Sequence, residues 1–271
     1  PMGTQESVRR LTRAQCLSFA NQRLVAKNLV VAAFGDIQDA QLLSKLQRRF
    51  GQLSADAAPW PQDLAVDPLE EVRQASLMLP KEQSVIFFGF RGTRVTAQDR
   101  YTLDVLTAVL SGMSGRLFQA VREQQGLSYT LGAFHVPGWD PGQLVVYAAT
   151  RPAERQTVLK TLQEELQRVI DEGITDDELT QAKQYLIGSH RLELQHLAGL
   201  ATRAVLDELY GVGYDAWTQY EPRIHAVSRS MVQDTAKQYL RLSHRAEVIV
   251  APDVAPARAQ DHEPAVVHDG D

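Results

Sequence analysis

Strand-like runs come in pairs in this chain, and helical stretches fall between and after the pairs. Beyond residue 73 the order is strand, strand, helix, helix, strand, strand, helices, strand, which points to an α+β roll of sheet packed with helices. "ASLMLP" and "SVIFFGF" are separated by "KEQ", a short hairpin-like connection. "LSYTLGAFHV" and "GQLVVYAAT" flank "PGWDPG", whose prolines and glycines make a turn, and the last strand is "AEVIVAP". Between the pairs, Thr96 with Asp99 is expected to open a helix running to about Leu110, with Leu103, Leu106 and Leu110 on one face. "RLFQAVREQ" resumes helically and ends near Gly126, a glycine suited to a helix C-terminus. Val158, Leu159, Leu162, Leu166 and Val169 form an apolar stripe ended by Gly173. "TDDE", Thr175 to Glu178, is a capping box whose helix can extend as far as "LDELYG"; shorter helices around 214–226 and 230–242 follow.

The first segment reads differently. "LTRAQCLSFANQRL" opens with Thr12 and Gln15 as a capping box, and "NLVVAAF" and "DIQDAQLLSKLQRRF" follow as strand and helix. That strand is apolar on both faces, and one strand with two helices cannot cover it. Residues 1–53 are therefore expected to belong to something larger. Residues 54–72, with Pro59, Pro61 and Pro68, read as a linker, 73–252 as the main unit, and 253–271 as a disordered tail poor in residues to bury.

A net charge of −5, with no dense basic run beyond Arg9, Arg10 and Arg13, argues against nucleic acid as a partner. The apolar runs are far shorter than the roughly 20 residues of a membrane span. The first residues lack the charged and apolar regions of a secretory leader, so any leader is expected upstream. Cys16 is the only cysteine, which suits a reducing compartment without excluding the periplasm, so the localisation stays open between cytoplasm and periplasm. Cys16 itself reads as a small core residue of an amphipathic helix.

The sequence carries no metal-ligand spacing. Among the seven histidines no two stand four apart, the spacing of a helical zinc pair. His190 and Glu193 can share a helix face, but that pair reads as solvated. Glu164 with Glu165 and Asp176 with Asp177 read as solvated faces or caps. Ser111, Gly112, Met113, Ser114 and Gly115 form a glycine-rich run with no following Lys and Ser or Thr in phosphate-loop register; a flexible hinge between helices is the plain reading. The helix, turn, helix shape around it mimics a DNA-reading motif, against which the acidic balance and flanking strands argue. In "VREQQGLSYT", Arg122 precedes Tyr129 by seven residues. A guanidinium stays charged and a phenol titrates near pH ~10, so these side chains suit binding or polarisation.

The stretch "LSGMSGRLFQAVREQQGLSYTLGAF" resembles the M16 family of zinc peptidases, the pitrilysin and mitochondrial processing peptidase group. The matching features are the glycine-rich loop of Ser111 to Gly115, "RLF" at Arg116 to Phe118, Arg122, and "GLSY" at Gly126 to Tyr129. The resemblance extends over about residues 3 to 252 and implies an M16-like roll preceded by the back part of a similar domain. It also implies a His-x-x-Glu-His zinc motif in a catalytic half, which this sequence lacks. The implied role is a non-catalytic, substrate-binding domain or subunit. Arg122 and Tyr129 would hold a peptide or unfolded polypeptide, the Ser111 to Gly115 loop would move beside them, and zinc would lie on a partner domain or chain. A structural or peptide-binding module without proteolytic role is the alternative, and a homo-oligomer is open. Both a fragment of a catalytic parent and an inactive subunit fit these features.

Overall fold

The computed structural model describes residues 3–55, 67–112, 115–123 and 125–252, with the backbone alone at Tyr129. Its sheet contains β1 (Arg73–Leu79), β2 (Ser84–Arg91), β3 (Ser128–Val136), β4 (Gln143–Thr150) and β5 (Ala246–Pro252), in the order β1-β5-β2-β4-β3. β1 runs parallel to β5, and the other neighbours are antiparallel. The architecture is the expected α+β roll of mixed sheet packed with helices.

β2 shows why one face is buried. Its alternation puts Ser84, Ile86, Phe88 and Phe90 on the core side, level with Leu144, Val146 and Ala148 of β4. Helices α4 (Arg100–Leu110), α5 (Arg155–Glu172), α6 (Asp176–Leu194), α7 (Leu197–Leu209), α8 (Tyr220–Ala226) and α9 (Arg229–Tyr239) follow in chain order. Leu103, Leu106 and Leu110 of α4 and Val158, Leu162, Leu166 and Val169 of α5 join that core. The opposite face is more open: Phe87, Tyr147 and Phe134 form a cross-strand row with ring centroids 6.4 and 6.1 Å apart. On the covered side, a buried ion pair joins Arg245 to Glu247 at 2.6 Å, and the guanidinium lies over the Phe88 ring.

Four sequence expectations are corrected. β1 and β2 are not a hairpin, because β5 inserts between them. Two strand spacings of about 4.8 Å separate them, a gap that residues 80–83 bridge easily at about 3.3 Å each. "NLVVAAF" forms no strand among the described residues: Val30, Ala32 and Phe34 are half-buried and Leu29 and Val31 exposed, yet no neighbour supplies a ladder. The helix expected from Thr96 begins at Arg100, since the Asp99 carboxylate caps nothing and instead accepts from Thr93 Oγ1 at 2.7 Å and from the Tyr239 hydroxyl. Cys16 is exposed, because α2 (Arg13–Arg23) buries none of its residues against the rest of the described chain.

The capping boxes at Thr12 and Thr175 both form. The helix begun at Thr175 stops at Leu194, where α7 turns back; a methyl group at Gly199 would lie 2.6 Å from the Glu193 carbonyl oxygen, so this approach needs glycine. Residues 3–55 hold α1 (Gln5–Arg9), α2 and α3 (Asp39–Phe50), with Phe19, Leu24 and Leu43 exposed. The linker expectation falls partly, and the tail expectation wholly, outside the described residues. Among the described residues no helix is long and apolar enough to cross a membrane.

Candidate functional site

The site grows from the end of α4. Ser111 is the C-cap residue of α4, its N–H donating to the Thr107 carbonyl. Its hydroxyl donates to the Ala133 carbonyl at 2.7 Å and accepts from the Ala133 N–H at 2.6 Å. β3 is an outer strand, so one side chain here does for Ala133 what a further strand would do. Gly112 has φ +82, and a methyl group at Gly115 would lie 2.1 Å from the Ser111 carbonyl oxygen. The two glycines let the chain close tightly on Ser111; Met113 and Ser114 lie outside the described residues.

Arg116 follows, bound to Glu178 through Nε to Oε1 at 2.5 Å and Nη2 to Oε2 at 2.8 Å. Burial alone would raise the pKa of Glu178, but bonds from Arg116 and Thr175 outweigh it and hold the carboxyl below its usual range. The guanidinium pKa is raised, its bond to Glu178 exceeding the effect of burial. From sequence Arg116 stands out only as the first residue of the "RLF" motif and Glu178 only as a cap; the bond between them does not. The capping box was visible, but a partner 62 positions away leaves no trace in local spacing.

Leu117 and Val121 are fully buried and anchor the next stretch, in which Phe118–Glu123 winds as a π-helical turn. A π turn holds one residue more than the α turn it replaces, and such turns are frequent at functional sites. Arg122 is half-buried on this turn, with its guanidinium 4.7 Å from the Phe118 ring centroid. Gly126 then takes φ +63, its N–H donating to the Arg122 carbonyl while Leu127 N–H reaches the Val121 carbonyl. This is the glycine cap expected from sequence, with each bond spanning one residue more than in its α-helical form.

Two hydroxyls fasten the exit of the turn: Thr150 Oγ1 donates to the Leu127 carbonyl at 2.6 Å and Ser128 Oγ to the Ala149 carbonyl at 2.5 Å. Ser128 pairs with Thr150 and Thr130 with Ala149, so Tyr129 is the additional residue of a β-bulge. The backbone therefore brings Arg122 and Tyr129 to the two ends of one capped connection, each at a one-residue irregularity. The Tyr129 side chain lies outside what the structure describes.

His190 is engaged structurally, with Nε2 3.1 Å from the Trp217 carbonyl and its ring 4.4 Å from that of Tyr220. Burial, followed by the nearby Asp104 charge, pushes the Tyr220 phenol pKa up. Among the described residues no group of three His, Cys, Asp or Glu side chains could hold a metal ion.

The mixed five-stranded sheet packed with helices is the fold of an M16-type domain. The chain belongs to the peptidase M16 inactive domain family, whose model matches residues 10–186. It is 33% identical to an uncharacterized zinc protease of Streptomyces coelicolor over 214 residues, 77% of this chain and 47% of that protein. An uncharacterized zinc protease of Bacillus subtilis is 27% identical over 238 residues, 88% of this chain and 57% of its own length. The chain thus spans about half the length of the curated relatives it matches. Among solved structures, a peptidase M16 inactive domain from Pseudomonas fluorescens superposes with a TM-score of 0.84 at 21% identity, over 93% of this chain and 61% of that one. A protease from Helicobacter pylori gives 0.79 at 18%, over 92% and 61%. These two likenesses concern the fold.

Proposed function

We propose that this chain is the substrate-holding, non-catalytic part of an M16-type zinc peptidase, completing a peptide chamber with Arg122 and Tyr129. Residues 73–252 would be the second of two similar domains, and residues 1–53 the closing part of the first. The observation that carries the reading is the conjunction of a π turn at Arg122 and a β-bulge at Tyr129 on an outer strand. The names of the relatives, zinc proteases, supply the reaction class. The described residues offer no zinc ligand set, so zinc is assigned to a partner domain or chain and no step at the metal to these residues.

The chemistry suits each group. A guanidinium offers charged N–H donors to peptide carbonyls and cannot deprotonate near neutrality, while a neutral phenol donates one hydrogen bond to a carbonyl oxygen as charge develops there. The open sheet face, with Phe87, Tyr147 and Phe134, would supply chamber wall for a peptide or unfolded polypeptide. In Arg122→Ala and Tyr129→Phe we expect folding to persist and kcat/KM with the zinc-bearing partner to fall, each loss bounded by about 2.7 to 4 kcal/mol. Peptide cleavage at the parent rate by both variants would make the pair only a helix-to-strand junction.

A further inference from the structure

Between the glycine turn and the π turn, Arg116 supplies a polar anchor. Both side chains of the Arg116–Glu178 fork are largely shielded, at 16% and 24% exposure. A two-point guanidinium bond fixes the plane as well as the position of the group, which a lysine ammonium does not. The receiving end is itself immobilised. Glu178 Oε2 accepts from the Thr175 N–H at 2.7 Å while Glu178 N–H donates to Thr175 Oγ1, locking it to the first turn of α6.

At the other end, "RLFQAVR" from Arg116 to Arg122 holds neither glycine nor proline, and Leu117 and Val121 pin it into the core. Orientation fixed at Arg116 is therefore carried to Arg122. The start of the preceding turn is tied to β3 through Ser111 Oγ, and Arg116 ties the chain to α6 just beyond its end.

Resting on the reading of Arg122 given above, we propose that Arg116 is a positioning residue for the substrate grip: its fork to Glu178 sets the angle of the π turn and so the place of the Arg122 guanidinium. Arg116 never touches the peptide in this scheme. It acts through the helix scaffold of α6, and the same fork steadies the cap at Gly126 and Leu127 that leads into the bulge.

The test varies Arg116, because Glu178 also caps α6 and its loss would confuse two effects. Arg116→Gln, Arg116→Lys, Arg122→Ala and the double variant Arg116→Gln with Arg122→Ala are assayed for kcat/KM with the zinc-bearing partner. Amide exchange at Gly126 and Leu127 is measured in this chain alone. Arg116→Gln is expected to lower kcat/KM about tenfold, with Arg116→Lys intermediate, within the roughly hundredfold that a misplaced group can cost. On the Arg122→Ala background the same change is expected to have almost no further effect. Exchange at the two cap amides should quicken about tenfold in Arg116→Gln. Equal loss in both backgrounds, or unchanged exchange at the cap, overturns the positioning role. Arg122→Ala with full activity overturns the grip itself and the positioning role with it. An impaired Arg122→Ala beside a fully active Arg116→Gln overturns the positioning role alone.

Discussion

Glu178 accepts hydrogen bonds from two nitrogens of Arg116 and from the Thr175 N–H, and these bonds outweigh burial to lower its pKa. A carboxylate lowered on folding adds stability above its unfolded value and loses that contribution as pH falls through its folded value. Relative to Glu178→Gln, the parent is expected to be more stable by about 1 kcal/mol near neutrality, given solvent screening of a partly exposed group. The advantage should shrink as pH drops below about 4. Urea unfolding of both proteins between neutrality and acid measures it; an advantage that persists in strong acid would show that carboxylate charge is not what stabilises the bridge. At this scale the sequence reveals groups within reach of their own backbone, such as the cap of Thr175, Glu178 and the αL glycine at 126. The pairing of Arg116 was hidden because its partner comes from another helix.

At the scale of elements, the outer strand β3 ends up guarded by Ser111 rather than by another strand. Removing that hydroxyl in Ser111→Ala leaves Ala133 N–H and C=O without their described partner at a partly buried edge, at a cost of about 1 to 3 kcal/mol. Chemical unfolding measures the loss, and stability equal to the parent would mean that water serves the edge equally well. Elements with a strong period were legible: the stripe from Val158 to Val169, the β3–β4 pair around its Pro and Gly turn, and β5. The candidate site was legible as a spacing of Arg122 and Tyr129, but its backbone geometry was not. A π turn and a bulge each add one residue, too small an insertion to disturb a pattern read over ten or more. "NLVVAAF" misled because apolar content signals burial without saying that a neighbouring strand exists.

For the whole molecule, the proposed division of labour predicts that this chain alone binds no stoichiometric zinc and cleaves no peptide. Elemental mass spectrometry and a quenched-peptide assay check both, and one tightly held zinc per chain with chelator-sensitive cleavage would place the chemistry here after all. The sheet order was the least legible feature at this scale. Each strand announced itself, but pairing across the chain depends on shape and burial, and nothing in "KEQ" says that β5 will part the strands it connects.

That central place of β5 also imposes a timetable. A ribosome delivers β1 and β2 well before residues 246–252, so the nascent chain carries two strands whose common neighbour does not yet exist. β2 and β4 can pair while synthesis continues, but β1 has no hydrogen-bonding partner in the sheet until the last strand emerges. Completion of this sheet is therefore a late event, and a chain stopped short of Ala246 would lose β1 along with β5.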